Sequence, residues 1–229
     1  PGQFVWADLL THDVPTAVNF YTNVFGWEVE YKDDKNYAHA SIDGEPVAAI
    51  AAYNEGEDEN AEGVWLMSVS ARDIRNAGQA VKAAGGKVLE GPEDLPGRGQ
   101  YILVEDPRGA LIMLLRANDG DPEENTGDES DWLWAELWTD DTVASTHFYE
   151  QVLGYRSVAV KGLSGSTYQI MGRDQRPRPS VIKSPFEDVS PNWLPYVKVD
   201  DVDAVAIDVI EHGGTVLVPP ERDEQKQRQ

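Results

Sequence analysis

The chain of 229 residues contains no cysteine. Disulfides, thiolate metal sites and thiol nucleophiles are therefore excluded. Basic residues are scarce: 19 lysines and arginines stand against 41 aspartates and glutamates, a formal net charge of −22. Such a surface repels phosphate backbones and anionic headgroups, so neither nucleic acid nor a membrane is expected as a partner. No apolar run approaches the roughly 18–20 residues of a membrane span, and no basic-then-apolar leader opens the chain. The Gly-x-Ser-x-Gly, P-loop and dinucleotide fingerprints are missing too, which leaves serine-nucleophile, nucleotide and nicotinamide chemistry without support. A cytoplasmic globular protein is the expectation. The acid excess suits a high-salt cytoplasm, where screening relieves self-repulsion, or equally an ordinary acidic bacterial protein.

What the chain does contain is a second copy of itself. WADLLTHDVPTAVNFYTNVFGW at 6–27 and WAELWTDDTVASTHFYEQVLGY at 134–155 are identical at 9 of 22 positions, 128 residues apart. WLMSVSARDIRNAGQAVKAAGGKVLEGPE from Trp65 is echoed by WLPYVKVDDVDAVAIDVIEHGGTVLVPPE from Trp193 at the same offset. One constant offset means two copies of a whole module of about 115 residues, with little net insertion. The boundaries read as 1–117 and 132–229. The Asp/Glu/Gly/Asn-rich stretch 118–131 is a solvated linker, and Asn54–Glu62 a second acidic loop.

Within the first copy, Phe4–Leu10 alternates as a strand, with Val5, Ala7 and Leu9 on one face and Trp6, Asp8 and Leu10 on the other. Thr11 or Asp13 can cap a helix starting near Pro15, striped by Ala17, Phe20, Tyr21 and Val24 and stopped at Gly26. Strands follow at Trp27–Tyr31, Tyr37–Ile42 and Val47–Tyr53. The order restarts at Val64–Ser70, with a helix from about Arg72 to Ala84 and strands at Lys87–Glu90, Tyr101–Glu105 and Leu111–Arg116. The prediction is an α+β protein of tandem β-α-β-β-β units, two per module, with helices on the outer faces of curved sheets. Module one ends in GRGQYILVEDPRGALIMLLRA, whose counterpart would fall at about 225–245, so the fourth unit lacks its last two strands within these 229 residues.

Three stretches stand out: D-x-x-x-A-x-x-F-Y-x-x-x-F-G-W at Asp13–Trp27, its copy at Asp141–Tyr155, and D-P-R-G-A at Asp106–Ala110. They resemble the vicinal oxygen chelate superfamily, which contains glyoxalase I, the bleomycin-resistance proteins and ring-cleaving dioxygenases. The likeness is greatest to the tandem, two-module glyoxalase-like branch. It implies two cups, each of which in the metal enzymes holds a divalent ion on four His, Glu or Gln side chains. Carried over, those positions fall on Trp6, Ile50, Leu66 and Met113, and on Trp134, a residue near Val181 or Ile182, Leu194 and a position past 229. None of the assigned positions supplies the oxygen or imidazole donor that Mg, Mn, Fe, Ni or Zn requires. No metal or other cofactor is therefore expected; a divalent ion on an unrecognised donor set is the alternative.

Trp6 and Trp134 then become flat apolar walls suited to an aromatic ligand, or else plain core. Asp8 and Glu136 lie two residues on and share that face. There they serve as a general base or an anchor for a ligand amine, or are merely ion-paired, Asp8 with an arginine such as Arg108 or Arg116. His39, alternating with Tyr37 and Ser41 toward the cup, is the histidine placed for proton transfer, while His12, His147 and His212 read as surface or capping residues. Tyr37, Tyr101 and Tyr196 offer hydroxyls to orient a ligand, and Trp65 and Trp193 suit a core or interface. The expected function is metal-free binding or sequestration of a small aromatic or hydrophobic molecule. The alternative is a lyase, isomerase or dioxygenase-type enzyme using Asp8, Glu136 and His39. A third reading is a non-catalytic interaction protein with filled cups, and a homodimer is an open alternative throughout.

Overall fold

The computed structural model describes residues 2–33, 36–52, 63–121, 131–161, 167–173 and 176–220. The acidic loop Asn54–Glu62 and residues 122–130 of the linker lie outside the described residues. The first module runs β1 (Phe4–Thr11), α1 (Val14–Phe25), β2 (Glu28–Asp33), β3 (Tyr37–Ile42), β4 (Glu45–Ala52), β5 (Val64–Ser70), α2 (Ile74–Ala83), β6 (Lys87–Leu95), β7 (Gly99–Glu105) and β8 (Leu111–Ala117). The second runs β9 (Trp132–Thr139), α3 (Thr142–Leu153), β10 (Arg156–Lys161), β11 (Thr167–Arg173), β12 (Arg176–Lys183), β13 (Asn192–Val197) and α4 (Val202–Glu211). The architecture is the α+β arrangement of β-α-β-β-β units that the repeat predicts.

Each of these helices opens on an aspartate whose carboxylate accepts a backbone N–H three residues on: Asp13, Asp73, Asp141 and Asp201. This satisfies one orphan donor of the first turn and sets the start. Two of the helices, α1 and α3, end at Gly26 and Gly154, both left-handed at φ 71° and 68°, a conformation glycine adopts without a Cβ penalty.

The first sheet has eight strands in the order β2-β3-β4-β1-β5-β8-β7-β6; the second has five, β10-β11-β12-β9-β13. In the first, the two units meet where β1 and β5 pair antiparallel. In the second, β9 and β13 make the same junction. The fixed offset makes Thr215–Val218 the counterpart of the Lys87–Glu90 strand, but the described residues hold no strand there, and Leu217 and Val218 are exposed. The reason is local. β6 pairs with β7 alone, so its copy has no described neighbour with which to close a ladder.

Strand phase follows the sequence through most of β1: Ala7 and Leu9 are buried on the helix side, leaving Trp6, Asp8 and Leu10 on the open face. The phase breaks at Val5. A register shift between Phe4 and Trp6 turns Phe4 toward the helix side, where its ring lies 5.3 Å from that of Trp193. A matching shift beside Val197, which pairs with Trp132, sends Trp132 into the core with Trp27 and Trp65, at 5.3 and 5.2 Å. Such bulges re-aim one side chain without disturbing the rest of the strand.

The helix sides of the two sheets face each other. Ile74 and Val81 of α2 share one buried cluster with Phe148, Tyr149 and Leu153 of α3, and α1 lies against α4. Gly86 is small because it must be: a Cβ there would stand 2.6 Å from the Phe148 ring and 2.8 Å from the Glu105 carbonyl. Polar contacts stitch the same seam. Trp132 Nε1 donates to Val47 O (2.8 Å), Tyr155 Oη to Gly2 O (2.7 Å) and Ser145 Oγ to Asp106 (3.2 Å), while Arg108 is ion-paired with Asp140. Both open faces are thereby turned away from the shared core.

Candidate functional site

On the open face of the first sheet, β1 and β3 bring four of the sequence-predicted residues together. Asp8 and Ala49 are register partners, as are Ala49 and His39, so Trp6, Asp8, Tyr37 and His39 lie on one face. A fifth residue joins them. Arg98, from the turn before β7, donates from Nη1 and Nη2 to the two oxygens of Asp8 at 3.1 and 3.3 Å. Its guanidinium carbon sits 4.7 Å from the centre of the Trp6 ring, and Trp6 Nε1 adds a 2.9 Å bond to Asp8 Oδ1. A forked ion pair stacked on an indole combines charge-assisted hydrogen bonds with cation–π attraction.

Arg98 corrects two expectations. The partner of Asp8 is neither Arg108, which pairs with Asp140, nor Arg116, but a residue from a Pro-Gly-Arg-Gly turn 90 positions away. Asp8 also meets a guanidinium where an apolar wall was expected, so its oxygens are engaged and it is poorly placed as a free general base. His39 Nε2 lies 3.0 Å from Tyr37 Oη. Burial, helped by the positive charges of Lys32 and Arg98 and opposed by Asp8 and Glu30, lowers the His39 pKa from 6.5, so its imidazole is neutral at pH 7. Burial, then the Asp8 charge, pushes the Tyr37 hydroxyl up.

Tyr101 is on the same open face, opposite the buried Ile102 and Val104, but three strands from β1. Its hydroxyl donates to Glu90 at 2.6 Å, and burial with that carboxylate pushes its pKa up to about 12. It stands apart from the Trp6 group. The remaining histidines lie elsewhere: His147 bonds Gln151, and His212 caps α4 on the Asp208 carbonyl.

The second sheet carries an equivalent group around Glu136. Its Oε1 accepts from Trp138 Nε1 (2.8 Å) and Tyr196 Oη (2.9 Å), and its Oε2 from Ser180 Oγ (2.7 Å). Trp134 Nε1 donates to the same Ser180 oxygen at 3.0 Å, and Phe186 lies 5.7 Å from Trp138, ring to ring. Burial and the Glu136 charge push the Tyr196 hydroxyl far up. Trp138 was legible in the sequence, since Trp134, Glu136 and Trp138 alternate on one strand. Ser180 and Arg98 were not; each depends on which strand or turn comes alongside.

The positions that the resemblance assigns to an ion can now be checked for fit. Trp6, Leu66 and Met113 do stand on the open face, but Ile50 does not. It is a register partner of Leu9 and is buried with Leu9 and Val14 on the helix side. The open-face residue there is Ala49. In the second sheet, of the two residues offered, Val181 is buried on the helix side, whereas Ile182 partners Trp138 and shares the open face with Ser180, the partner of Glu136. The first face thus presents an indole, a methyl, an isobutyl and a thioether, which do not fit Mg, Mn, Fe, Ni or Zn. Among the described residues no three His, Asp or Glu side chains come together as a metal set. Two clefts of about 290 and 260 Å³ open away from both groups, one between α2 and α3 beside Arg72, Leu153 and Arg173, the other beside Gln79 and Pro92. Both polar groups therefore sit on open sheet faces, outside both clefts. No described helix is long and apolar enough to cross a membrane.

Comparison with known proteins agrees with the fold. The family model for the glyoxalase/bleomycin resistance protein/dioxygenase superfamily matches residues 3–114. A Mycobacterium bovis protein named as a candidate glyoxylase, CFP32, is 30% identical over 221 residues, 94% of this chain and 84% of its own. The anthracycline biosynthesis protein DnrV of Streptomyces peucetius is 31% identical over 235 residues, 96% and 85% of the two chains. Among solved structures, the Mn(II)-bound glyoxalase from Novosphingobium aromaticivorans superposes with a TM-score of 0.63 at 17% identity, covering 93% of this chain and 71% of that one. The chain spans about half the length (53%) of the ring-cleaving dioxygenase chains whose fold it also matches.

Proposed function

The chain belongs to the glyoxalase/bleomycin resistance protein/dioxygenase superfamily, and we propose that it binds or sequesters a small aromatic or hydrophobic molecule on its open sheet faces without a metal ion. One observation carries this reading: at the open-face positions that the resemblance assigns to an ion stand Trp6, Ala49, Leu66 and Met113, apolar side chains beside an indole-stacked ion pair. Aromatic walls with a few oriented polar groups are the usual make-up of a small-molecule site. The Streptomyces relative, named for anthracycline biosynthesis, supports a ligand of the polycyclic aromatic kind. The test is twofold. Metal analysis of protein purified without chelator should find less than one tightly held divalent ion per chain. A panel of polycyclic aromatics should quench tryptophan fluorescence saturably. A stoichiometric ion, or no saturable response from any compound, refutes the proposal.

A second reading has one observation in its favour. The neutral His39 imidazole, 3.0 Å from the Tyr37 hydroxyl, is poised to accept a proton, as a lyase or isomerase of this superfamily would need. That reading requires His39→Ala to abolish turnover of a substrate while leaving its binding intact.

A further inference from the structure

We propose that the open face of the second sheet takes an organic cation, an aryl-alkyl ammonium, with Glu136 as its counter-ion. This rests on reading the open faces as small-molecule sites and adds the sign of charge that one of them selects. The two modules share a plan but treat their central carboxylates differently. Asp8 in the first is paired through both oxygens with Arg98. Glu136, 128 positions on, takes its hydrogen bonds from three neutral donors, the Trp138 indole, the Tyr196 phenol and the Ser180 hydroxyl. These hold the carboxylate in place without cancelling its charge. Oε2 accepts from Ser180 alone among the described residues, and a carboxylate oxygen has room for a second donor.

The second group adds rings at two positions where the first has none. At the fixed offset, Leu10 becomes Trp138 and Ser68 becomes Tyr196. Trp138 and Tyr196 bond Glu136 directly, Trp134 reaches it through Ser180, and Phe186 lies against Trp138. Ring faces attract a cation, most strongly when it sheds water, and a carboxylate behind them supplies the full opposite charge. The group is also reachable: Tyr196 is 38% exposed. Arg98 already neutralises the first face; on the second, a ligand that carries the positive charge takes the place of that arginine.

The experiment uses the full chain and two isosteres, 9-(aminomethyl)anthracene, cationic at pH 7, and the neutral 9-anthracenemethanol, titrated by calorimetry. The amine is expected to bind at least about tenfold more tightly than the alcohol. In Glu136→Gln the advantage should fall to within about twofold while the alcohol's affinity is kept. Trp138→Leu, which restores the first module's residue, should weaken both. Raising salt from about 20 to about 500 mM with the unaltered protein should remove most of the amine's advantage, a readout that does not depend on any variant folding. Equal affinities, or a preference that survives Glu136→Gln, overturn the inference while leaving the small-molecule reading standing. Binding of neither compound sinks both.

Discussion

Replacing Arg98 by alanine removes more than an exposed charge. The side chains of Arg98 and Asp8 are only 23% and 11% exposed, and the substitution strips Asp8 of two charge-assisted bonds and Trp6 of its stacked guanidinium at once. Breaking a buried pair from one side costs about 3–5 kcal/mol, because the other charge is left enclosed and uncompensated. With both groups still partly in contact with water, about 2–3 kcal/mol is expected for Arg98→Ala. For a chain of this size that lowers Tm by roughly 4–12 °C. Urea and thermal denaturation measure it directly. The double variant Arg98→Ala/Asp8→Asn should recover at least about half of the loss, since the stranded charge is gone. An Arg98→Ala protein within about 0.5 kcal/mol of the parent would show that the pair behaves as an ordinary surface bridge, and the reasoning would fail.

Other expectations are more local. His39 should titrate below pH 6.5 by NMR, and Lys32→Ala should move it upward, because one of the cations that disfavours protonation is removed. Its contribution to stability is complete above pH 6.5 and is lost as pH falls toward the folded-state value, so Lys32→Ala should also blunt that acid-side loss. Gly86→Ala should cost about 1–3 kcal/mol in a thermal melt, from the clash with Phe148 and the Glu105 carbonyl. Tyr149→Phe leaves the enclosed Trp193 indole N–H without its 3.1 Å partner and should cost about 1–3 kcal/mol. Tyr21→Phe, at the same bond between Trp65 and Tyr21 one module earlier, should cost less, since that site is only partly buried.

Most of the fold was legible because it is written in short-range signals. Aspartate caps and the Gly26 stop fix the helices from within a few residues, and the alternation of Trp6, Asp8 and Leu10 places the β1 part of the site. What escaped is whatever depends on a partner strand. Ile50 sits in the all-apolar run 47–52, where no polar residue marks the open side and a one-residue slip reverses every side chain; in the β12 sequence the alternation of Arg176, Arg178 and Ser180 does mark that side, against Val181. The β-bulge at Val5 hides in an unbroken alternation. Arg98 reads as a turn arginine until β7 carries that turn to the mouth of β1, and Thr215–Val218 has the composition of a strand but no described neighbour to pair with. Of the candidate residues, Trp6, Asp8, Tyr37 and His39 converge, Trp134, Glu136 and Tyr196 form a second group, and Tyr101 belongs to neither.

The common core has a thermodynamic corollary. Phe148 and Tyr149 fill space between α2 and α3 that neither half could close alone, so separating the halves would wet several large side chains, each worth about 1.5–3 kcal/mol. Melting should accordingly be a single event for the pair. Damage near Glu105 or Gly86 would then be felt at Glu136, on the far side of the molecule, as reduced occupancy of the whole native state and not as a local change in shape.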